Sequence, residues 1–358
     1  MEIRLPSVRN AVQALRMVRQ SMGPRWARVP QPIRRSGIKR GRARPGLGRA
    51  LSSYLTACVV LLAIVLGGAT RAGFLGDAVL QLMALPLLWF ALIGLFESRE
   101  TSRVRWVLSG LVVVVALPLL QLVPLPPSIW TSLPGRSAIT GTYELLGDPL
   151  PAFPLTVSPE ATWLSALSLV PAVAIFLSVL TLGYEQRRHV SLVIVAVAVV
   201  SVFLGLLQVA GGPNSGLRFY TVTNTSEAVG FFANRNHFAA LLYVAMLFCF
   251  CWLFETSETL AEARAAKFDS KTVIYFAVFA VAFIVLMAGQ LMARSRAGLL
   301  LSIGALIAGF IIVMKGRRAR GQRYLPKFLL AAIAIVVAAC SPFALFRILD
   351  RFGTEAVS

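Results

Sequence analysis

The stretch VSLVIVAVAVVSVFLGLLQVA, Val190–Ala210, runs for 21 residues without a charged side chain. As a helix it is about 30 Å long, the thickness of a bilayer's hydrocarbon core. Comparable runs lie at Leu51–Thr70, Phe74–Phe96, Val104–Val123, Ala161–Gly183, His237–Phe254, Thr272–Leu291, Ala297–Met314 and Phe328–Phe346. In lipid each must be a helix, because only a helix satisfies its own backbone polar groups within one segment. The expectation is an all-α polytopic membrane protein with about nine transmembrane helices.

Composition agrees. Of 358 residues, 57% are hydrophobic and only 14% charged, and the mean hydropathy is +0.76. A soluble chain of this length has nearly twice that share of charge and could not cover so much apolar surface.

The net charge of +20 is unevenly spread. Residues 1–50 hold 13 Lys/Arg against a single acid, Glu2, together with Pro24, Pro30, Pro32 and Pro45. This predicts a basic, solvated, disordered arm held near anionic lipid. An organellar transit peptide has a similar Arg-rich, acid-poor look. Nucleic-acid binding is not indicated, because no aromatic interleaving accompanies the charge.

Placing the arm in the cytoplasm and alternating the spans puts loops 97–103, 184–189, 255–271 and 315–327 on the same side. With Arg105 counted at the first boundary, the arm and these loops carry 27 Lys/Arg against 8 on the other face. That is the positive-inside pattern of a bacterial inner membrane protein with a cytoplasmic N-terminus. The transmembrane domain is then 51–346, with outer loops 124–160 and 211–236. Residues 347–358 begin a periplasmic loop. The eight prolines of 124–160 predict an ordered loop with at most short helical turns.

Polar residues inside or beside spans collect at the outer ends. Asp77, Gln81, Gln121 and Gln208 sit there, as do the clusters Gly230–Phe238 and Ala293–Gly298. The middle and inner halves hold almost nothing ionisable. An ion or proton path, as in a transporter, needs polar groups at the midplane. The asymmetry points instead to a site at the outer boundary.

The first cluster, GFFANRNHF, packs Asn234, Arg235, Asn236 and His237 at a helix start. Free N–H groups and the helix dipole favour an anion there, and an arginine fork can grip phosphate oxygens in two places. Asn234 or Asn236 also suits a helix cap, which is compatible with anion binding. The second cluster, ARSRAG, is a tight turn. Ser295 is expected to cap the next helix. A cation at Arg296 opposes that helix's dipole and so calls for an anionic partner, whereas Arg294 is free to snorkel to the interface. Gln290 lies one turn before. A catalytic base at His237 competes with an ordinary interfacial histidine. No HExxH, paired ligand spacing, DxD or P-loop occurs, so neither metal nor cofactor is expected. Cys58, Cys249, Cys251 and Cys340 lie in apolar runs and read as small hydrophobes.

These residues resemble a known family. FFANRNHFA, Phe231–Ala239, looks like the F-x-N-x-N-x-x-A signature of the O-antigen ligase and polymerase superfamily. ARSRAG, Ala293–Gly298, is similar to the S-R-[GA]-[GA] turn that follows it by about sixty residues. QLVPLPPSIW (Gln121–Trp130), LPGR (Leu133–Arg136) and SPEATW (Ser158–Trp163) are similar to the first outer loop of many members. The likeness covers about residues 50–350.

The resemblance implies a GT-C-like membrane glycosyltransferase bundle and a metal-independent reaction in polysaccharide or lipopolysaccharide biosynthesis. The donor would be an undecaprenyl-diphosphate-linked glycan. The acceptor would be a hydroxyl, such as that of lipid A-core, at the periplasmic face. Arg296, Arg235 and Arg294 would hold the donor diphosphate, supported by Asn234, Asn236, Ser295 and Gln290. A polymerase or a protein O-oligosaccharyltransferase of the same superfamily remains an alternative. Members usually have about twelve spans and place a histidine base in a large loop after the ninth. The resemblance therefore implies a longer protein, with that base beyond residue 358.

Overall fold

The computed structural model describes residues 47–69, 75–97, 101–263 and 270–319. The basic arm up to residue 46, the expected ninth span at 328–346 and the loop start at 347–358 lie outside the described residues.

The described residues form eight long helices. They are α1 (Leu47–Leu66), α2 (Leu75–Glu97), α3 (Thr101–Gln121), α6 (Pro159–Thr181), α7 (Tyr184–Ala210), α8 (Arg235–Ala263), α9 (Ser270–Met292) and α10 (Arg296–Ala319). Between α3 and α6 lie β1 (Pro124–Leu125), α4 (Pro127–Trp130), α5 (Ser137–Leu146) and β2 (Phe153–Pro154). Six helices, α2 and α6 to α10, are long and apolar enough to cross a membrane. Helices α1 and α3 carry the shorter apolar stretches Ala50–Leu66 and Arg105–Gln121. The architecture is that of a helical, multi-pass membrane protein.

Helix α8 is the hub, packing against α7, α9 and α10. Phe238, Leu242, Ala245, Met246, Cys249 and Phe250 are all buried along it. A helix apolar all round is stable only when enclosed. A second group forms where α6 packs on α1, α2 and α3. Small residues let its helices approach: Ala84 and Ala91 of α2 and Ala174 of α6 are fully buried. Helix α1 joins the two groups by packing on α7 as well as α2 and α6. Its Thr56 hydroxyl lies 2.6 Å from that of Ser178 on α6.

The chain alternates end to end. Gly68, after α1, accepts a hydrogen bond from Ala233 N–H, before α8, at 2.9 Å, and Ala228 N–H reaches Met292 O of α9 at 3.4 Å. At the opposite end Arg188 of α7 stacks 4.2 Å over Trp252 of α8, and Arg317 of α10 pairs with Glu258 at 2.5 Å.

Two expectations need correction. The loop at 124–160 holds more than short turns, because α5 runs for ten residues. No proline falls between Pro134 and Pro149, and left-handed Gly135 (φ 78°) and Gly147 (φ 72°) let the chain enter and leave this helix. The loop also holds a two-residue antiparallel bridge, Pro124 with Pro154 and Leu125 with Phe153. The second correction concerns α8, which continues to Ala263 rather than ending near Phe254. Its extension, Glu255–Ala263, is rich in Ala, Leu and Glu, which favour helix.

The α3–α6 connection is held by buried side chains. Trp130, fully buried, donates from Nε1 to Pro151 O at 2.9 Å. Arg136, 2% exposed, donates to Pro154 O at 2.9 Å and lies 5.3 Å over Phe153. Arg136 is thus a structural cation.

Candidate functional site at the α8 and α10 helix starts

The connection from α7 to α8 is folded by two side chains. Gln208, fully buried in the last turn of α7, donates from Nε2 to Leu217 O (3.0 Å) and Gly230 O (2.8 Å). Its Oε1 accepts from Val229 N–H (3.2 Å) and Gly230 N–H (2.9 Å). One amide therefore satisfies four backbone groups, and three of these bonds are buried. Gly230 is left-handed (φ 59°), and a Cβ there would lie 2.0 Å from Ser201 Oγ, so the loop closes on α7 only with glycine.

Arg218 does similar work. Its guanidinium donates to Asn224 O (2.6 Å), Thr225 O (2.7 Å) and Glu227 O (3.1 Å). Burial pulls its pKa below the usual arginine value, with Glu227 opposing. Tyr220, in the same loop, is pushed up by burial and then by the charge of Asp77. Its hydroxyl and Phe231 O crowd Gly68, where a Cβ would lie 3.1 Å and 2.4 Å from them.

This scaffold delivers the start of α8. Arg235 N–H donates to Asn224 Oδ1 at 2.9 Å, and Asn236 N–H to Asn234 Oδ1 at 2.8 Å. Asn234 is therefore a helix cap, assisted by Asn224, eleven residues upstream of Arg235. The Arg235 guanidinium pairs with Glu227 Oε1 at 2.5 Å, with side-chain exposures of 36% and 11%. His237 is exposed in the first turn, with no side-chain partner among the described residues.

The start of α10 meets the start of α8. Ser295 Oγ donates to Asn236 Oδ1 at 2.8 Å and accepts from Gly298 N–H at 3.0 Å. Ser295, 2% exposed, is the α10 cap. Arg294 adopts φ 49°, the sole left-handed non-glycine among the described residues. Arg294 and Arg296 are both exposed, and neither guanidinium has a hydrogen-bond or ion-pair partner among the described residues. No acceptor among the described residues takes the N–H of Arg296 or Ala297. Two unpaired cations thus flank an open helix N-terminus, an arrangement suited to an anion.

Of the residues singled out in the sequence, Asn236 and Ser295 are brought together, Arg294 and Arg296 flank Ser295 along the chain, and Gln290 lies against Gly298 of the same turn. Arg235 is their neighbour in sequence, but its guanidinium is engaged by Glu227. The hydrogen-bonding roles of Gln208, Arg218 and Glu227 were not legible. Polar residues in a connecting loop carry no signal of which distant backbone groups they will meet.

Among the described residues no group of three or more His, Cys, Asp or Glu side chains is placed to hold a metal ion. No family model, curated protein or solved structure matches the chain.

Proposed function

We propose that this chain is a membrane glycan ligase of the O-antigen ligase type, or the membrane-embedded part of one. It would act on a glycan carried by undecaprenyl diphosphate at the periplasmic face. The observation that carries the reading is the Asn236–Ser295 hydrogen bond, 2.8 Å across 59 residues. It joins the two segments whose sequences resemble that superfamily and leaves Arg294 and Arg296 unpaired beside an open helix N-terminus.

In this reading an acceptor hydroxyl oxygen attacks the anomeric carbon of the donor sugar. The bond from that carbon to the diphosphate breaks, the diphosphate leaves with the electron pair, and the hydroxyl proton passes to a general base. The arginines act on the leaving group, because charge accumulates on its oxygens as the bond stretches. Guanidinium groups already aimed there stabilise the transition state more than the ground state. Chemistry of this kind needs no redox step.

The test is Arg296→Ala at the native locus. The mature glycoconjugate should disappear while undecaprenyl-diphosphate-linked glycan accumulates, with the protein still in the membrane. Wild-type glycoconjugate levels in that strain would reject the reading.

A further inference from the structure

Gln290, in the last turn of α9, is 1% exposed, and neither Nε2 nor Oε1 has a hydrogen-bond partner among the described residues. Gln208 makes the contrast plain. It is equally buried, and its amide makes four bonds. A buried amide left unpaired forfeits the bonds it made to water and gains none in return. Met287 and Leu291 beside Gln290 indicate how readily this helix accepts an apolar side chain. The fold alone therefore gives no reason for an amide at this position.

Its surroundings supply one. A Cβ added to Gly298 would lie 2.6 Å from Gln290 Nε2, 3.1 Å from Ser295 Oγ and 2.5 Å from Ala239 Cβ. The amide thus lies against the first turn of α10, and glycine at 298 makes the room. The same turn holds the open N–H groups of Arg296 and Ala297.

We propose that Gln290 is a ligand-binding group of this turn and that it takes a hydroxyl. The reason is the symmetry of what is unpaired. The amide has an open donor and an open acceptor, and a hydroxyl both donates and accepts. A diphosphate oxygen only accepts and would leave Oε1 unpaired. The hydroxyl comes from one of two sources, the donor's sugar or a water held together with the diphosphate. The inference rests on the proposed function and divides the site: the arginines take the anion, and Gln290 takes the hydroxyl.

The experiment compares wild type, Gln290→Met and Gln290→Leu in lipid nanodiscs. It measures melting temperature and binding of undecaprenyl diphosphate and of undecaprenyl diphosphate bearing one hexose. The variants are expected to melt no lower than wild type and to bind the hexose-bearing lipid roughly tenfold more weakly. Unchanged binding of the bare lipid then assigns the hydroxyl to the sugar, and equal weakening of both lipids assigns it to water. A melting temperature several degrees lower in both variants overturns the inference, because the amide then serves the fold. So does wild-type affinity for both lipids. Wild-type protein that binds neither lipid overturns the proposed function itself, a result separable from the other two.

Discussion

Ser295 Oγ and Asn236 Oδ1 lie 2.8 Å apart, the hydroxyl donating, while the same oxygen caps α10 by accepting from Gly298 N–H. One buried atom therefore sets both the start of a helix and its register against α8. Ser295→Ala removes both bonds and should lower stability by about 1–2 kcal/mol, read as a fall in melting temperature. Ser295→Asp keeps a capping acceptor and should recover part of that stability. It also sets a carboxylate between Arg294 and Arg296, so binding of an anionic lipid should not recover.

Gln208→Leu should be the most damaging change in the α7–α8 connection. It leaves two carbonyl and two N–H groups without the partner that the amide supplied. The expected loss is at least about 3 kcal/mol. Limited proteolysis should show cleavage between residues 211 and 234 well below the temperature at which the helices melt.

Arg294 separates stability from function. Its left-handed backbone costs about 1 kcal/mol relative to glycine. Arg294→Gly should therefore hold or raise the melting temperature while weakening the binding of undecaprenyl diphosphate. A variant that is less stable and binds normally would mean that this side chain has only a packing role.

Arg235 already has a carboxylate. Because Glu227 holds it at 2.5 Å, the proposed diphosphate would fall to the unpaired cations. Replacing the pair together, Arg235→Gln with Glu227→Gln, should lower melting temperature modestly and leave lipid affinity within about twofold of wild type. A loss of tenfold or more would show that Arg235 contacts the lipid.

Much of the helical plan was legible because it rests on local quantities. Runs such as Val190–Ala210 declare a helix by length and by the absence of charge. Ser295 was readable as a cap because capping is a short-range bond within one turn. The polar contacts were a different matter. Nothing in the sequence pairs Asn236 with Ser295, Arg235 with Glu227, or Gln208 with Gly230, since each depends on how separate segments are brought together. Helix α5 was missed because a proline count describes a loop as a whole, whereas its ten residues fall between two of those prolines. The extension of α8 was missed because hydropathy marks where an apolar run stops, not where a helix stops.

In the proposed function the turn between α9 and α10 grips a lipid-borne diphosphate. Its most direct test is equilibrium binding of undecaprenyl diphosphate to wild-type, Arg296→Ala and Arg296→Lys protein in nanodiscs. The account predicts at least a tenfold loss for Ala and a substantial loss for Lys, which lacks the two-pronged fork, with melting temperatures unchanged. Wild-type affinity in the Ala variant would contradict it.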